Sequence, residues 1–134
     1  MSTRIDETLT QPGYDGLIIG NEPVADVFTV TVRKLSAAAT LARGTVLALS
    51  TGTAGDGKMV VLGTTAETNE TLTANCVLCD ATSVGTTADV SALAYRTGKF
   101  NAGKLTVKSG YTMTAADKEA LRDVGILLDT AIDA

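Results

Sequence analysis

The chain has 134 residues, is 45% hydrophobic and 19% charged, carries a formal net charge of −4, and contains neither His nor Trp. That length suits one domain able to bury about two thirds of its unfolded surface without a covalent staple. Without His there is no Ser–His–Asp or Cys–His nucleophile site and no His-containing zinc site; the acidic balance argues against a phosphate-backbone binder, and 4% aromatics leave little for stacking platforms or aromatic sugar clefts.

Residues 1–11 are polar, with Arg4, Asp6 and Glu7, and lack the apolar stretch of a signal peptide. No run approaches the ~20 apolar residues of a membrane helix. Residues 1 to about 26 contain both prolines, Pro12 and Pro23, with Gly13, Gly16 and Gly20 between them, which is poor material for a helix or a long strand. Within this leader lies one apolar knot, Leu17-Ile18-Ile19, preceded by Tyr14. Two readings of it stay open: a loop that packs on its own domain, or an extended arm that docks on another chain by adding a strand to a sheet edge. Burying each of those side chains is worth ~1.5–3 kcal/mol before ordering costs, so even a short arm is energetically significant.

Residues 28–33 alternate with period two: Phe28, Val30 and Val32 share one face, Thr29, Thr31 and Arg33 the other, as in a half-buried strand. Residues 35–41, with three consecutive alanines, fit a turn of helix or a loop. After Gly44, residues 45–50 read as a second strand. Asp56-Gly57 then marks a hairpin leading into a partner strand at 58–62. Lys58 at the end of this turn suggests the carrier lysine of lipoyl or biotinyl domains, but the characteristic flanking residues are missing. The glycines lack the spacing of a phosphate-binding loop and precede no helix. A plain hairpin is the better account.

The Thr-rich stretch 63–74 reads as a loop, and strands are expected at 75–80 and about 89–96, with a further alternation at 104–108. Cys76 and Cys79 form a C-x-x-C inside the apolar run at 75–80. In a strand, residues three apart point to opposite faces, so the sulfurs diverge. A zinc site would need a second pair of soft ligands, which is missing. Ordinary packing cysteines are expected, kept reduced in a cytoplasm.

A helix is expected over 115–124. Thr114 is the N-cap, Asp117 completes a capping box at the favourable end of the dipole, and Gly125 supplies the left-handed stop. Ala116, Ala120, Leu121 and Val124 make its apolar stripe. Asp117, Glu119 and Asp123 read as a solvated face, since residues two apart on a helix do not face each other. Residues 126–128 form a last strand. The expected fold class is α+β, mainly β: a small domain of about six or seven short strands with one C-terminal helix, preceded by an extended N-terminal arm. The division is an arm at 1–26 and a domain at 27–134.

In their order these motifs resemble the head decoration proteins of tailed bacteriophages, the group that includes the decoration protein of phage lambda. Four stretches carry the resemblance: Tyr14-Asp15-Gly16-Leu17-Ile18-Ile19-Gly20 with Pro23 after it; Thr31-Val32 with Arg43-Gly44-Thr45-Val46-Leu47; residues 89–101, ending Gly98-Lys99-Phe100-Asn101; and residues 114–128, with Ala120-Leu121-Arg122 and Gly125-Ile126. The departure is at 69–80, where the two cysteines replace a plainer strand. The resemblance implies a virion structural protein made in the bacterial host cytoplasm. It implies a homotrimer on the outer surface of the expanded head, clamping the major capsid protein against the pressure of packaged DNA. It also implies that the N-terminal arm, here Tyr14, Leu17, Ile18 and Ile19, contacts the capsid. No catalytic residue, cofactor, metal, nucleic-acid or membrane partner is expected. The rival readings are a surface-displayed receptor- or glycan-binding module, which would need an exposed aromatic cleft, and a small enzyme, which would need two ionisable groups converging in a pocket.

Overall fold

A computed structural model of the chain describes residues 16–20 and 24–129. Tyr14, both prolines and the polar start of the chain lie outside the described residues. Among those described, the strands are β1 (Ile18–Gly20), β2 (Asp26–Val32), β3 (Ala39–Leu41), β4 (Val46–Thr51), β5 (Met59–Val61), β6 (Thr71–Leu78), β7 (Thr82–Val84), β8 (Val90–Asn101) and β9 (Ile126–Asp129). One helix, α1 (Ala115–Val124), precedes β9, and a single 3-10 turn spans Ala102–Lys104. The α+β, mainly β reading with a late helix is what the structure has.

Five strands pair in a closed circuit, β8–β2–β5–β4–β6 and back to β8. The β8–β2 and β4–β6 ladders are long and antiparallel, whereas β2 meets β5 in parallel through the single pair Val32↔Met59. Closure comes from β6 on β8, at Val77↔Tyr95 and Leu78↔Ala94. Closing the circuit removes the unpaired edges that an open sheet would present.

Side-chain alternation then sorts the core into two clusters. Val30 and Val32 of β2, Leu47 of β4, Met59 of β5, Cys76 and Leu78 of β6, and Ala92 and Ala94 of β8 pack together. All five strands contribute, so this cluster is the barrel interior. The ribbon of β3 and β7 adds Leu41 and Val84 to it. Val46, Ala48, Val60, Ala74 and Val77 point the other way and are covered by Leu121 of α1 and by Leu105, Val107, Tyr111 and Met113. Because β4 is buried on both faces, it reads as the unbroken run Val46-Leu47-Ala48-Leu49.

Local chemistry sets the helix ends as expected. Thr114 Oγ1 accepts from the Asp117 amide at 3.1 Å, Asp117 accepts in return from the Thr114 amide at 2.9 Å, and Gly125 closes the helix at φ 106. Only Leu121 of the apolar stripe is fully buried, and Val124 is 41% exposed. The hairpin at Asp56-Gly57 is also present, with Gly57 at φ 72.

Three expectations are corrected. The stretch 63–74 is not all loop: Thr71 already pairs with Thr51, so β6 starts four residues early. The alternation at 104–108 is no strand: its backbone meets the chain before β4 at the isolated parallel bridge Thr45↔Thr106, and the 3-10 turn ending at Lys104 and the turn at 109–110 bend the chain away on either side before a ladder can extend. Residues 39–41 form β3, a three-residue strand that exists through its partner β7.

Candidate functional site

The site of interest is where the N-terminal segment meets the domain. Strand β8 is twelve residues long and serves two sheets. Its first half belongs to the barrel; its last residues leave the barrel and pair with β9 in parallel, Ile126↔Gly98 through Asp129↔Asn101. The opposite edge of the same segment takes β1, with Ile18↔Phe100 and Gly20↔Lys99 separated by a bulge. Among the described residues, no further strand pairs with the outer edges of β1 or β9.

Leu17 anchors this arrangement. It is 1% exposed and lies in one cluster with Val46, Phe100, Leu121 and Ile126. Its carbonyl oxygen accepts from the Asn101 amide at 2.8 Å. Gly44 borders it: it stands at φ 94, and a Cβ there would clash with the Lys104 carbonyl oxygen at 2.9 Å while meeting Leu17 Cδ1 only in ordinary contact at 3.5 Å. Phe100, 0% exposed, forms the floor and stacks obliquely on Tyr95, ring centroids 5.3 Å apart. Gly98 is fixed by the same ring, since a Cβ at that position would lie 2.8 Å from Phe100. Asn101 Oδ1 accepts from the Gly103 amide at 3.0 Å, capping the turn that brings Lys104 to Gly44.

Of the four expected arm residues, the structure therefore commits Leu17 to its own core and leaves Ile18 and Ile19 half-buried on β1; Tyr14 lies outside the described residues. The segment from 17 to 20 is packed on the domain rather than separate from it, so the arm-and-domain boundary at residue 26 does not coincide with a break in the fold.

A second polar constellation was not anticipated. Glu70, its side chain 1% exposed, accepts from Arg33 Nη2 at 2.5 Å, Ser50 Oγ at 2.5 Å and the Glu67 amide at 2.9 Å. Arg33 also grips Asp56 with two parallel bonds of 2.9 and 3.0 Å. The Glu67 amide, Ser50 and Arg33 hold the Glu70 carboxyl down from its ordinary 4.5 to about 2, and Arg33 holds Asp56 down from 3.8 to about 2. Beside them Lys58 pairs with Asp89 at 2.6 Å, which accounts for that lysine as part of the hairpin's packing. The network ties the end of β2, the hairpin and the approach to β6 together. Its signature was hidden because Glu70 sits in a polar Thr-rich stretch and its partners are 20 and 37 residues away.

The remaining candidates disperse. Asp117 caps its helix and accepts from the Tyr111 hydroxyl, while Glu119 pairs with Arg122 at 3.2 Å. Cys76 and Cys79 are free thiols that pack in opposite clusters, and burial pushes the Cys76 thiol up to about 12. Among the described residues, no group of three or more His, Cys, Asp or Glu is placed to hold a metal, and no helix is long and apolar enough to cross a membrane. A hollow of about 550 Å³ on the outer face of β2 and β8 is lined by Thr29, Ala81, Thr82, Ser83, Ser91 and Leu93, with no aromatic or ionisable side chain. Tyr95 and Phe100 are buried against each other and form no exposed platform.

What fold and site define together is a small β-barrel domain that carries an N-terminal segment on a dedicated socket. Residues 8–127 match the family model of the bacteriophage lambda head decoration protein D, and the chain belongs to that family. Membership makes it a phage head decoration protein, a structural component of the capsid. No individual curated protein matches the chain.

Proposed function

We propose that the protein binds the outer surface of the expanded phage head as a homotrimer and cements it against the pressure of packaged DNA. The observation that carries this reading is the family match, which spans residues 8–127, from the N-terminal segment to β9. In this reading the N-terminal arm is the capsid contact, with Tyr14, Ile18 and Ile19 as its apolar anchors and the major capsid protein as partner. Three arms on one trimer act through effective concentration, so that modest individual affinities suffice. A ligand that binds the expanded lattice and not its precursor stabilises the expanded state by linkage. A net charge of −4 suits a protein working outside a DNA-filled shell. No chemistry is required of it.

The test is co-sedimentation of the purified protein with expanded and unexpanded heads that lack a decoration protein. Binding to expanded heads alone is expected, together with a trimer in analytical ultracentrifugation; equal binding to both, or to neither, overturns the cementing role. Removing residues 1–15, and with them Tyr14, weakens binding and leaves the barrel folded; undiminished binding overturns the role of that segment. The truncation stops there because Leu17 belongs to the core.

A further inference from the structure

The sequence carries two Asp-Gly pairs, Asp15-Gly16 and Asp56-Gly57, and the second sits in the exposed turn between β4 and β5. An Asp followed by Gly is a chemically weak point of any chain, because glycine has no side chain to keep its nitrogen away from the preceding carboxyl. The Gly57 nitrogen can attack Cγ of Asp56. An N–Cγ bond then forms, a Cγ–O bond breaks, and the amide proton and the carboxyl OH leave together as water. Water reopens the five-membered ring. Where it adds at the Asp56 main-chain carbonyl carbon, that C–N bond breaks and the chain runs on through Cγ, an isoaspartate of unchanged mass.

In the folded chain both reacting groups are already engaged. The Gly57 amide donates to the Ser50 carbonyl oxygen at 3.0 Å. The Asp56 carboxylate accepts two parallel bonds from Arg33, Nε to Oδ2 at 3.0 Å and Nη2 to Oδ1 at 2.9 Å, and a third from the Lys58 amide at 3.0 Å. Arg33 is aimed in turn by the buried Glu70 carboxylate, which also accepts from Ser50 Oγ.

We infer that Asp56-Gly57 is a latent isoaspartate site and that the Arg33 fork keeps it silent. Ring closure needs a neutral carboxyl, able to lose water, turned onto the Gly57 nitrogen. The fork opposes both requirements: it draws the two oxygens to Arg33 and keeps them ionised. A carboxyl held at about 2 rather than 3.8 is neutral roughly 60-fold less often at neutral pH. The chain belongs to a structural family of the capsid, and a copy built into a particle is not replaced, so chemical lifetime counts there.

The experiment incubates the full-length protein at neutral pH and reads isoaspartate at Asp56 by peptide mapping, which separates this site from Asp15-Gly16. Folded wild type is expected to accumulate little, and wild type in urea to convert at the rate of an open peptide. Arg33→Gln, folded by circular dichroism, is expected to convert about tenfold faster than folded wild type, solvent screening of a part-exposed carboxylate absorbing the rest of the roughly 60-fold. Arg33→Lys keeps a cation beside Glu70 without the fork and falls between the two; it decides the matter if Arg33→Gln does not fold. Glu70→Gln breaks the network at its buried end, leaves the Arg33–Asp56 pair in place and converts at the wild-type rate. Conversion of folded wild type as fast as in urea, or wild-type rates in the folded Arg33 variants, overturns the inference. So does an equal rise in Glu70→Gln, which assigns the rate to general loosening of the turn and not to the fork.

Discussion

Replacing Phe100 by alanine tests whether the socket and the barrel share one keystone. The ring is 0% exposed, stacks on Tyr95 at 5.3 Å and 53°, and lies against the backbone at Gly98. Truncating a buried Phe to Ala costs about 3–5 kcal/mol, the lost transfer energy plus the cavity left behind, of which about 0.5–1.5 kcal/mol is the aromatic pair with Tyr95. A domain is stable by about 5–15 kcal/mol, so this one truncation removes a large fraction of the total. For a chain of this length the unfolding entropy corresponds to roughly 3.5 °C per kcal/mol, so the thermal midpoint falls by about 10–18 °C. The assay is urea unfolding and thermal unfolding, both followed by circular dichroism at one protein concentration, paired with amide hydrogen exchange. Phe100 sits where β8 has left the barrel to hold β1 and β9. Amides of residues 17–20 and 126–129 are therefore expected to lose protection before those of β4 and β6. A cost below about 1.5 kcal/mol, or protection lost evenly across all strands, refutes the reasoning.

Two further outcomes follow from the polar groups. Glu70 and Asp56 both titrate lower in the folded chain than their ordinary 4.5 and 3.8, at about 2 each. The stability they contribute is thus complete above their ordinary values and is lost as pH falls from about 4.5 toward 2. Glu70→Gln is less stable than wild type at neutral pH, and the gap between them narrows across that window in acid-unfolding curves; a gap independent of pH refutes the assignment. Cys76, buried in the barrel with its thiol pushed up to about 12, is unreactive toward iodoacetamide at pH 8 in the folded chain and reacts in urea. Alkylation of native Cys76 at the rate of a free thiol shows that the barrel interior is open.

What was legible in the sequence is what short-range chemistry decides. The period-two alternation of Phe28, Val30 and Val32 marks the face that does line the barrel. Thr114, Asp117 and Gly125 set the ends of α1 because a cap is a contract between residues three or four apart. Asp56-Gly57 forms the hairpin because Gly57 tolerates a positive φ. Within the candidate site, the apolar knot Leu17-Ile18-Ile19 was visible as a segment in need of burial, and its family resemblance gave it a role. Which of the three goes where was not visible, since consecutive residues of an extended chain alternate in direction and only the surroundings choose between them.

Those surroundings are tertiary. Leu17 is buried because Gly44, Phe100 and Ile126 converge on it from 27 to more than 100 residues away, and none of them carries a local mark of that meeting. Glu70 is an internal anchor because Arg33 and Ser50 reach it across two strands. β3 exists only as the partner of β7, and the alternation at 104–108 stops at one bridge to Thr45 because turns bend the chain away on either side of it. Barrel closure through two residue pairs between β6 and β8 follows the same rule. By itself the sequence determined element types, helix ends and strand faces, where neighbours in the chain supply the interaction. The tertiary structure alone decided which strands pair, which side chains are enclosed and where residues 17–20 are seated, because those free energies come from partners that only folding brings together.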